Sequence, residues 1–101
     1  GWVEHKQSDL WDADYSYFTG TQTSNLQSSN TKMNIDVKTD GGSLEILLQD
    51  SDDNILFSET ISKTTSFSVD VPEKVIVSVL GKEHDGGFTI SYEESKASQQ
   101  S

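Results

Sequence analysis

Hydrophobic and polar side chains alternate in several short runs of this chain, a pattern typical of half-buried β-strands. Seven runs are strand candidates: residues 14–19, 33–38, 44–48, 55–57, 66–71, 74–80 and 88–92. Most of them alternate, whereas 55–57 is continuously apolar and 74–80 is apolar on both faces. No stretch of ten residues shows the 3.6-residue period of an amphipathic helix. Seven short strand candidates separated by turn residues predict an all-β protein, an antiparallel β-sandwich of about seven or eight strands.

Glycine and proline mark the breaks between these runs. The segment 40–42, with sequence DGG, separates the second run from the third, and it predicts a β-hairpin because glycine reaches positive φ readily. Residues 81–87, GKEHDGG, predict another turn. Gly20 interrupts the first run and predicts a bulge. Pro72 lacks a backbone N–H, so we expect a strand to end just before it.

The patterned region defines the domain organisation. We expect a β-sandwich domain over residues 14–94, which is long enough to bury a core without cross-links. Residues 1–13 contain two tryptophans among polar residues and predict a linker or a segment that docks onto the domain. Residues 95–101 are small and polar, and we expect them to be a disordered tail.

Composition narrows the choice of partners. The formal net charge is −10, and all seven basic residues are lysines. Phosphate binding requires clustered basic side chains, so this balance disfavours nucleic acid and anionic membrane surfaces. A negative field favours cations or basic partners instead. Only 32% of the residues are hydrophobic, but their alternating placement indicates a folded chain rather than a disordered one.

The chain contains no cysteine, which excludes disulfides, thiolate metal sites and cysteine nucleophiles. No apolar stretch approaches the length of a membrane helix, so we expect no direct membrane insertion of this domain. The chain begins at Gly1 without a visible signal peptide, which predicts a mature or trimmed form whose native N-terminus has been removed.

Short motifs in residues 15–93 resemble the small β-sandwich domain of Gram-positive secreted lipoproteins. These motifs are FTG at 18–20, VLG at 79–81 and GFTISY at 87–92, the last two flanking a short polar turn. The resemblance implies an extracellular protein tethered to the cell membrane or cell wall through a lipidated cysteine upstream of Gly1. It carries over no catalytic residue.

The acidic segment 50–54 offers a candidate calcium site at Asp50, Asp52 and Asp53. Calcium prefers six to eight oxygen ligands, and its loops often begin with acids at alternating positions. The rest of an EF-hand loop is absent, however. Aspartate and asparagine are also the expected residues of a tight turn. We favour the turn and expect no cofactor, with calcium as the alternative.

The remaining polar residues show no catalytic pattern. His84 and His5 are isolated, and we expect them to be solvated rather than zinc-bound, since zinc needs three or four ligands. No serine occurs in a nucleophile motif. The sequence therefore predicts that the domain is not an enzyme.

Exposed aromatic side chains are the last candidate site. Tyrosine and tryptophan combine an apolar face with a polar group, which suits contacts with sugar rings. Five residues could form such a platform: Trp2, Trp11, Tyr15, Tyr17 and Tyr92. In the alternative, the four phenylalanines fill the core and the tyrosines lie at sheet edges.

Two classes of function remain open after these exclusions. The first is a non-catalytic extracellular interaction or accessory module that binds a protein. The second is a carbohydrate-binding module that uses exposed aromatic side chains.

Overall fold

The computed structural model describes residues 2–93, and all of its regular secondary structure is β-strand. The strands, all paired antiparallel, are β1 (Val3–Gln7), β2 (Leu10–Gln27), β3 (Lys32–Gln49), β4 (Ile55–Ile61), β5 (Thr65–Asp70) and β6 (Lys74–Tyr92). The predicted all-β, antiparallel fold class is confirmed. No helix in the described part could span a bilayer.

β6 is the centre of the hydrogen-bonded sheet, whose strand order is β1-β2-β6-β3-β4. β6 pairs along almost its whole length with β2 on one side and with β3 on the other. β5 pairs with the first half of β3, while β4 pairs with the second half. β3 therefore changes its outer neighbour along its length, whereas β6 lies between β2 and β3 throughout.

Irregularities at one level of the sheet bend these three strands. The β2–β6 register shifts between Tyr15 and Gly20, and the β3–β6 register shifts between Thr39 and Ser43. Bulges increase local twist and bend a strand. The sheet consequently folds over into two layers.

Each layer contains one half of every long strand. The first layer consists of β1, residues 10–15 of β2, residues 32–39 of β3, β5 and residues 86–92 of β6. The second layer consists of residues 20–27 of β2, residues 43–49 of β3, β4 and residues 74–81 of β6. Six strands thus provide nine strand segments, which is why the count differs from the seven or eight predicted.

The hairpin predicted at 40–42 is wrong, because β3 continues through these residues. Residues 33–38 and 44–48 do not pair with each other; both pair with β6. The turn predicted at 81–87 is wrong for the same reason, since β6 continues through it. In both places glycine permits a bend between the layers rather than a reversal of the chain.

Two of these glycines have conformations that a side chain would obstruct. Gly42 has φ of 72°, and a Cβ there would overlap the carbonyl oxygen of Glu83. Gly86 has φ of 140°, and a Cβ there would overlap the carbonyl oxygen of Lys38. Their missing side chains let β3 and β6 approach each other at the bend.

The core lies between the layers and uses the apolar positions that alternate in the sequence. Burying one such side chain is worth about 1.5–3 kcal/mol. The fully buried residues include Trp11, Met33, Ile35, Leu44, Ile46, Leu48, Val77, Val79 and Ile90.

The N-terminal region is part of the sheet. Within residues 1–13, part of the chain forms β1 and the start of β2, and Trp11 lies in the core. Residues 22–30 are almost all polar, a composition typical of a loop, but β2 continues through them as far as Gln27. The tail predicted at 95–101 lies outside the described residues.

Candidate binding surfaces

The five aromatic residues of the predicted platform do not form one exposed row. Trp11, Tyr15 and Tyr92 are buried, and they face the core as inner-layer residues. The Tyr92 hydroxyl donates to the carbonyl oxygen of Pro72 at 2.7 Å, and burial raises the pKa of Tyr92 to about 12. These three side chains are packed in the core and do not form part of an exposed surface.

Trp2 and Tyr17 are the members of this group that reach the surface. Trp2 is 37% exposed and stacks on Tyr15, with ring centroids 5.0 Å apart and planes 9° apart. Tyr17 is 71% exposed and has φ of 55° within the β2 bulge. A left-handed backbone is unusual for a bulky residue, so the bulge holds the Tyr17 ring outward at some conformational cost.

The acidic segment 50–54 is organised as a turn. One Asp50 carboxylate oxygen accepts from the backbone N–H groups of Asp52 and Asn54, at 2.8 and 2.9 Å. The other accepts from the Asn54 side-chain amide at 3.0 Å. These bonds, led by that amide, hold the pKa of Asp50 below its ordinary value.

Asp50 thus uses both carboxylate oxygens within the turn, while Asp52 and Asp53 are exposed. Asp53 has φ of 66°, as a turn residue can. Within residues 2–93, no three acidic or histidine side chains are grouped closely enough to hold a metal ion.

His84 is fully buried at the bend, so the expectation that it is solvated is wrong. Its Nδ1 lies 2.7 Å from the Tyr15 hydroxyl, and its Nε2 lies 2.9 Å from the Thr39 hydroxyl. The ring therefore links β2, β6 and β3 where all three strands bend. Burial lowers the pKa of His84, and the nearby Asp85 and Asp40 oppose that effect.

His5 lies elsewhere, on the exposed edge strand β1. Its Nδ1 is 3.1 Å from a carboxylate oxygen of Asp12 on the neighbouring strand. The structure therefore does not bring the two histidines together.

A cleft lies on the open side of the sandwich, where β4 of the second layer faces β5 of the first. Its volume is about 320 Å³. The Phe57 and Phe67 rings meet across the two layers with centroids 5.2 Å apart. Ile61 is buried beside them. These three side chains supply the apolar part of the cleft.

Polar groups complete the lining of the cleft. Glu59 pairs with the fully buried Ile46, and residues directly opposite in an antiparallel pair share one face of the sheet. Glu59 therefore lies on the inner face of an edge strand, at the open side where its side chain remains exposed. Lys63 and Thr65 also line the cleft. Neither Glu59 nor Lys63 forms a salt bridge with another residue in the 2–93 range.

Sequence reasoning did not find this cleft. Residues 58–64 contain one apolar residue among polar ones, a composition that favours a loop, but β4 extends to Ile61. The alternation of Phe57, Glu59 and Ile61 was the available signal, because it places a carboxylate between two apolar side chains on one strand face.

The sequence matches no protein-family model and no curated protein. Among solved structures, PirA superimposes with a TM-score of 0.55 at 16% identity, over 88% of this chain and 97% of PirA. CENP-C of Drosophila melanogaster bound to CAL1 superimposes with a TM-score of 0.51 at 9% identity, over 91% of this chain and 81% of that one. At these identities the likeness shows a shared β-rich fold.

A further structure, the carbohydrate-binding module CBM4, has a TM-score of 0.47 at 12% identity, over 90% of this chain and 76% of that one. It is similar in being a β-rich domain. The superposition is too loose to locate a corresponding binding site.

Proposed function

We propose that this domain is a non-catalytic binding module and that the cleft between β4 and β5 holds its ligand. The inward-facing Glu59 carries the proposal, because it combines with two phenyl rings and Lys63 in one concave site. Ligand sites are typically apolar hollows with a few placed polar groups. An inward charge can also protect an edge strand from aggregation. That role explains Glu59 alone, but not the lysine, Lys63, that lines the same cleft.

The lining of the cleft favours a neutral carbohydrate over a protein segment as ligand. Sugar hydroxyls both donate and accept hydrogen bonds, and the cleft offers a carboxylate, an ammonium group and threonine hydroxyls. The Phe57 and Phe67 rings provide apolar surface for the C–H faces of a sugar. A protein interaction module, the other class considered, would require a contact surface of about 800 Å² on each partner, which is more than a cleft of this size offers.

We also propose that the domain has no catalytic activity. Glu59 is the single carboxylate among the described residues that line the cleft, whereas most glycoside hydrolases use a pair. His84 has both ring nitrogens engaged by Tyr15 and Thr39 in the core. Incubating the domain with any bound oligosaccharide should release no products, as measured by mass spectrometry.

We further propose that the module works outside the cell, tethered to the membrane or cell wall. The resemblance of residues 79–81 and 87–92 to Gram-positive lipoproteins supports this location. Protease added to intact source cells should cleave the full-length protein, and mass spectrometry should find a lipid-modified cysteine upstream of Gly1. Protection from the protease until the cells are lysed would overturn the location without affecting the binding proposal.

The binding proposal can be tested by nuclear magnetic resonance titration with a panel of neutral oligosaccharides. We expect amide shifts to concentrate in residues 57–67 and binding in the micromolar to millimolar range. Glu59→Gln should weaken binding about tenfold, since a hydrogen bond to a charged group is worth about 1.5 kcal/mol or more. Glu73→Gln, at an exposed site outside the cleft, is the matched control.

Shifts confined to the surroundings of Trp2 and Tyr17 would move the site to the exposed aromatic side chains. No shift with any sugar at about 10 mM would exclude carbohydrate as the ligand. A folded Glu59→Gln variant that binds like the parent would show that the cleft is not the site.

A further inference from the structure

The second half of β2 is an open edge of the second layer. Residues 21–26 pair with β6 on one side, and no other strand within residues 2–93 pairs with them. The next residue, Gln27, donates its backbone N–H to the carbonyl oxygen of Ser8 at 2.7 Å, which ends the open stretch. Along an open edge, every second residue directs its N–H and C=O toward solvent.

This edge lacks the features that usually prevent strands from pairing between molecules. Such features are charges, proline, bulges and short length. Residues 21–26, TQTSNL, contain neither charge nor proline, and their register with β6 is regular. The other edge strands each carry a charged side chain: Lys6 on β1, Glu59 on β4 and Asp70 on β5.

The outer face beside this edge is also nearly neutral. Its centre carries Ile76, Leu47 and Leu80, which are only partly buried. Glu45 is its single acidic residue among the described strand positions that point outward. The outer face of the first layer, by contrast, carries four aspartates and two lysines: Asp12, Asp14, Asp36, Asp70, Lys32 and Lys38.

We propose that two copies of this chain pair antiparallel through residues 21–26 of β2, which joins their second layers into one continuous sheet. The distribution of charge favours a second copy of this chain as the partner of the open β2 edge. Each chain carries a net charge of −10, and the neutral edge is where two such chains meet with least repulsion. A basic partner would instead favour the outer face of the first layer, where four aspartates outnumber two lysines. The surface is distinct from the cleft between β4 and β5.

The pleat of the strand limits the register of this pair. Opposed residues must point to the same side of the joined sheet, so the two-fold axis passes through a residue. Pairing the greatest length of residues 21–26 places that axis at Thr23 or Ser24. Thr23 then faces either its own copy or Asn25 of the other chain. Both residues are exposed and point to the outer face, so substitutions there leave the core unchanged.

Pairing along six residues buries less surface than a permanent dimer requires, so the dimer should be weak. Sedimentation or light scattering should detect a monomer–dimer equilibrium with a dissociation constant in the range of about 10 µM to 1 mM. Because both chains are strongly negative, raising the salt concentration should tighten the dimer.

Charge substitutions test the pairing directly. The T23K/N25K variant places lysines opposite each other in either register and should weaken dimerisation at least about tenfold. The T23D/N25D variant should do the same. An equimolar mixture of the two should restore association as a heterodimer, since opposite charges then face each other. The S66K/S68K variant, on the exposed β5 edge, is the control and should dimerise like the parent.

Thermal unfolding of every variant distinguishes lost pairing from lost folding, and the charge-swapped mixture gives a gain of association that misfolding cannot produce. A monomer at about 1 mM would overturn the proposal. A dimer that persists in T23K/N25K, or is lost in S66K/S68K, would also overturn it by placing the contact elsewhere.

Discussion

His84 shows how one buried residue makes stability depend on pH. Both of its nitrogens are hydrogen-bonded in the core, and burial lowers its pKa. The unfolded chain therefore binds more protons than the folded chain just below the ordinary pKa of histidine. By linkage, the free energy of unfolding should fall as the pH decreases from about 7 to about 5.

Denaturant unfolding at several pH values in this window measures the effect. His84→Gln removes the titrating group, and its stability should change less with pH than that of the parent. His5→Gln is the matched control, because His5 is exposed, and it should retain the parent's dependence. Equal pH dependence in the parent and His84→Gln would show that another group is responsible.

The hydrogen bonds of Asp50 favour a structural turn over a calcium site in segment 50–54, and thermal unfolding can test this choice. Its carboxylate already accepts three hydrogen bonds from Asp52 and Asn54. We therefore expect the same melting midpoint, within about 1 °C, with millimolar calcium and with chelator. Asp50→Ala should lower the midpoint in both conditions, because it frees the donors of the turn. A midpoint that rises with calcium only in the parent would establish the site.

At the scale of elements, the decisive feature is the common bend of β2, β3 and β6. A glycine pair between two alternating runs is the usual signal of a hairpin. Glycine with positive φ also occurs in β-bulges. The local sequence therefore does not distinguish a hairpin turn from a bulge in a continuous strand. The choice depends on β6, which lies alongside both halves of β3 and pairs with each.

Adjacent glycines at this bend test its close packing. Gly42→Ala should cost roughly 3 kcal/mol, since its φ is positive and the new Cβ would overlap the Glu83 carbonyl oxygen. Gly41→Ala is the control, because its Cβ would meet only the Asp85 side chain at 4.0 Å. It should be neutral or stabilise by up to about 0.5 kcal/mol. Similar unfolding curves for the two variants would contradict this account.

At the scale of the whole molecule, the central strand of the sheet, β6, is also the last strand in the sequence. β6 pairs with β2 over partners as distant in sequence as Leu10 and Ser91. Folding must therefore close long loops before these pairs form. Few elements can fold early by local contacts alone.

This topology predicts slow folding for a chain of this size. Refolding should take milliseconds to seconds, as in other domains dominated by non-local strand pairing. Stopped-flow fluorescence can follow the burial of Trp11 in a Trp2→Phe background, where Trp11 is the only tryptophan. Completion within the dead time of the instrument would contradict the expectation.

The sequence alone determined the all-β class and most of the buried strand faces, although not β1 or the full lengths of β2, β3 and β6. Alternation at residues such as Met33, Ile35 and Val37 reports burial directly, because the side-chain period of a strand is two. The absence of helix and the stop before Pro72 followed from equally local physics. These features depend on interactions between residues close in sequence, so they can be inferred from one amino-acid sequence.

Tertiary structure alone decided how the strands are arranged and what they bring together. It turned the predicted hairpin at 40–42 into a bend, and it buried His84 between hydroxyls from two other strands. It also placed Phe57 beside Phe67 to form the cleft. Each outcome depends on pairing between distant segments, whose free energy is set by the whole sheet rather than by any local pattern.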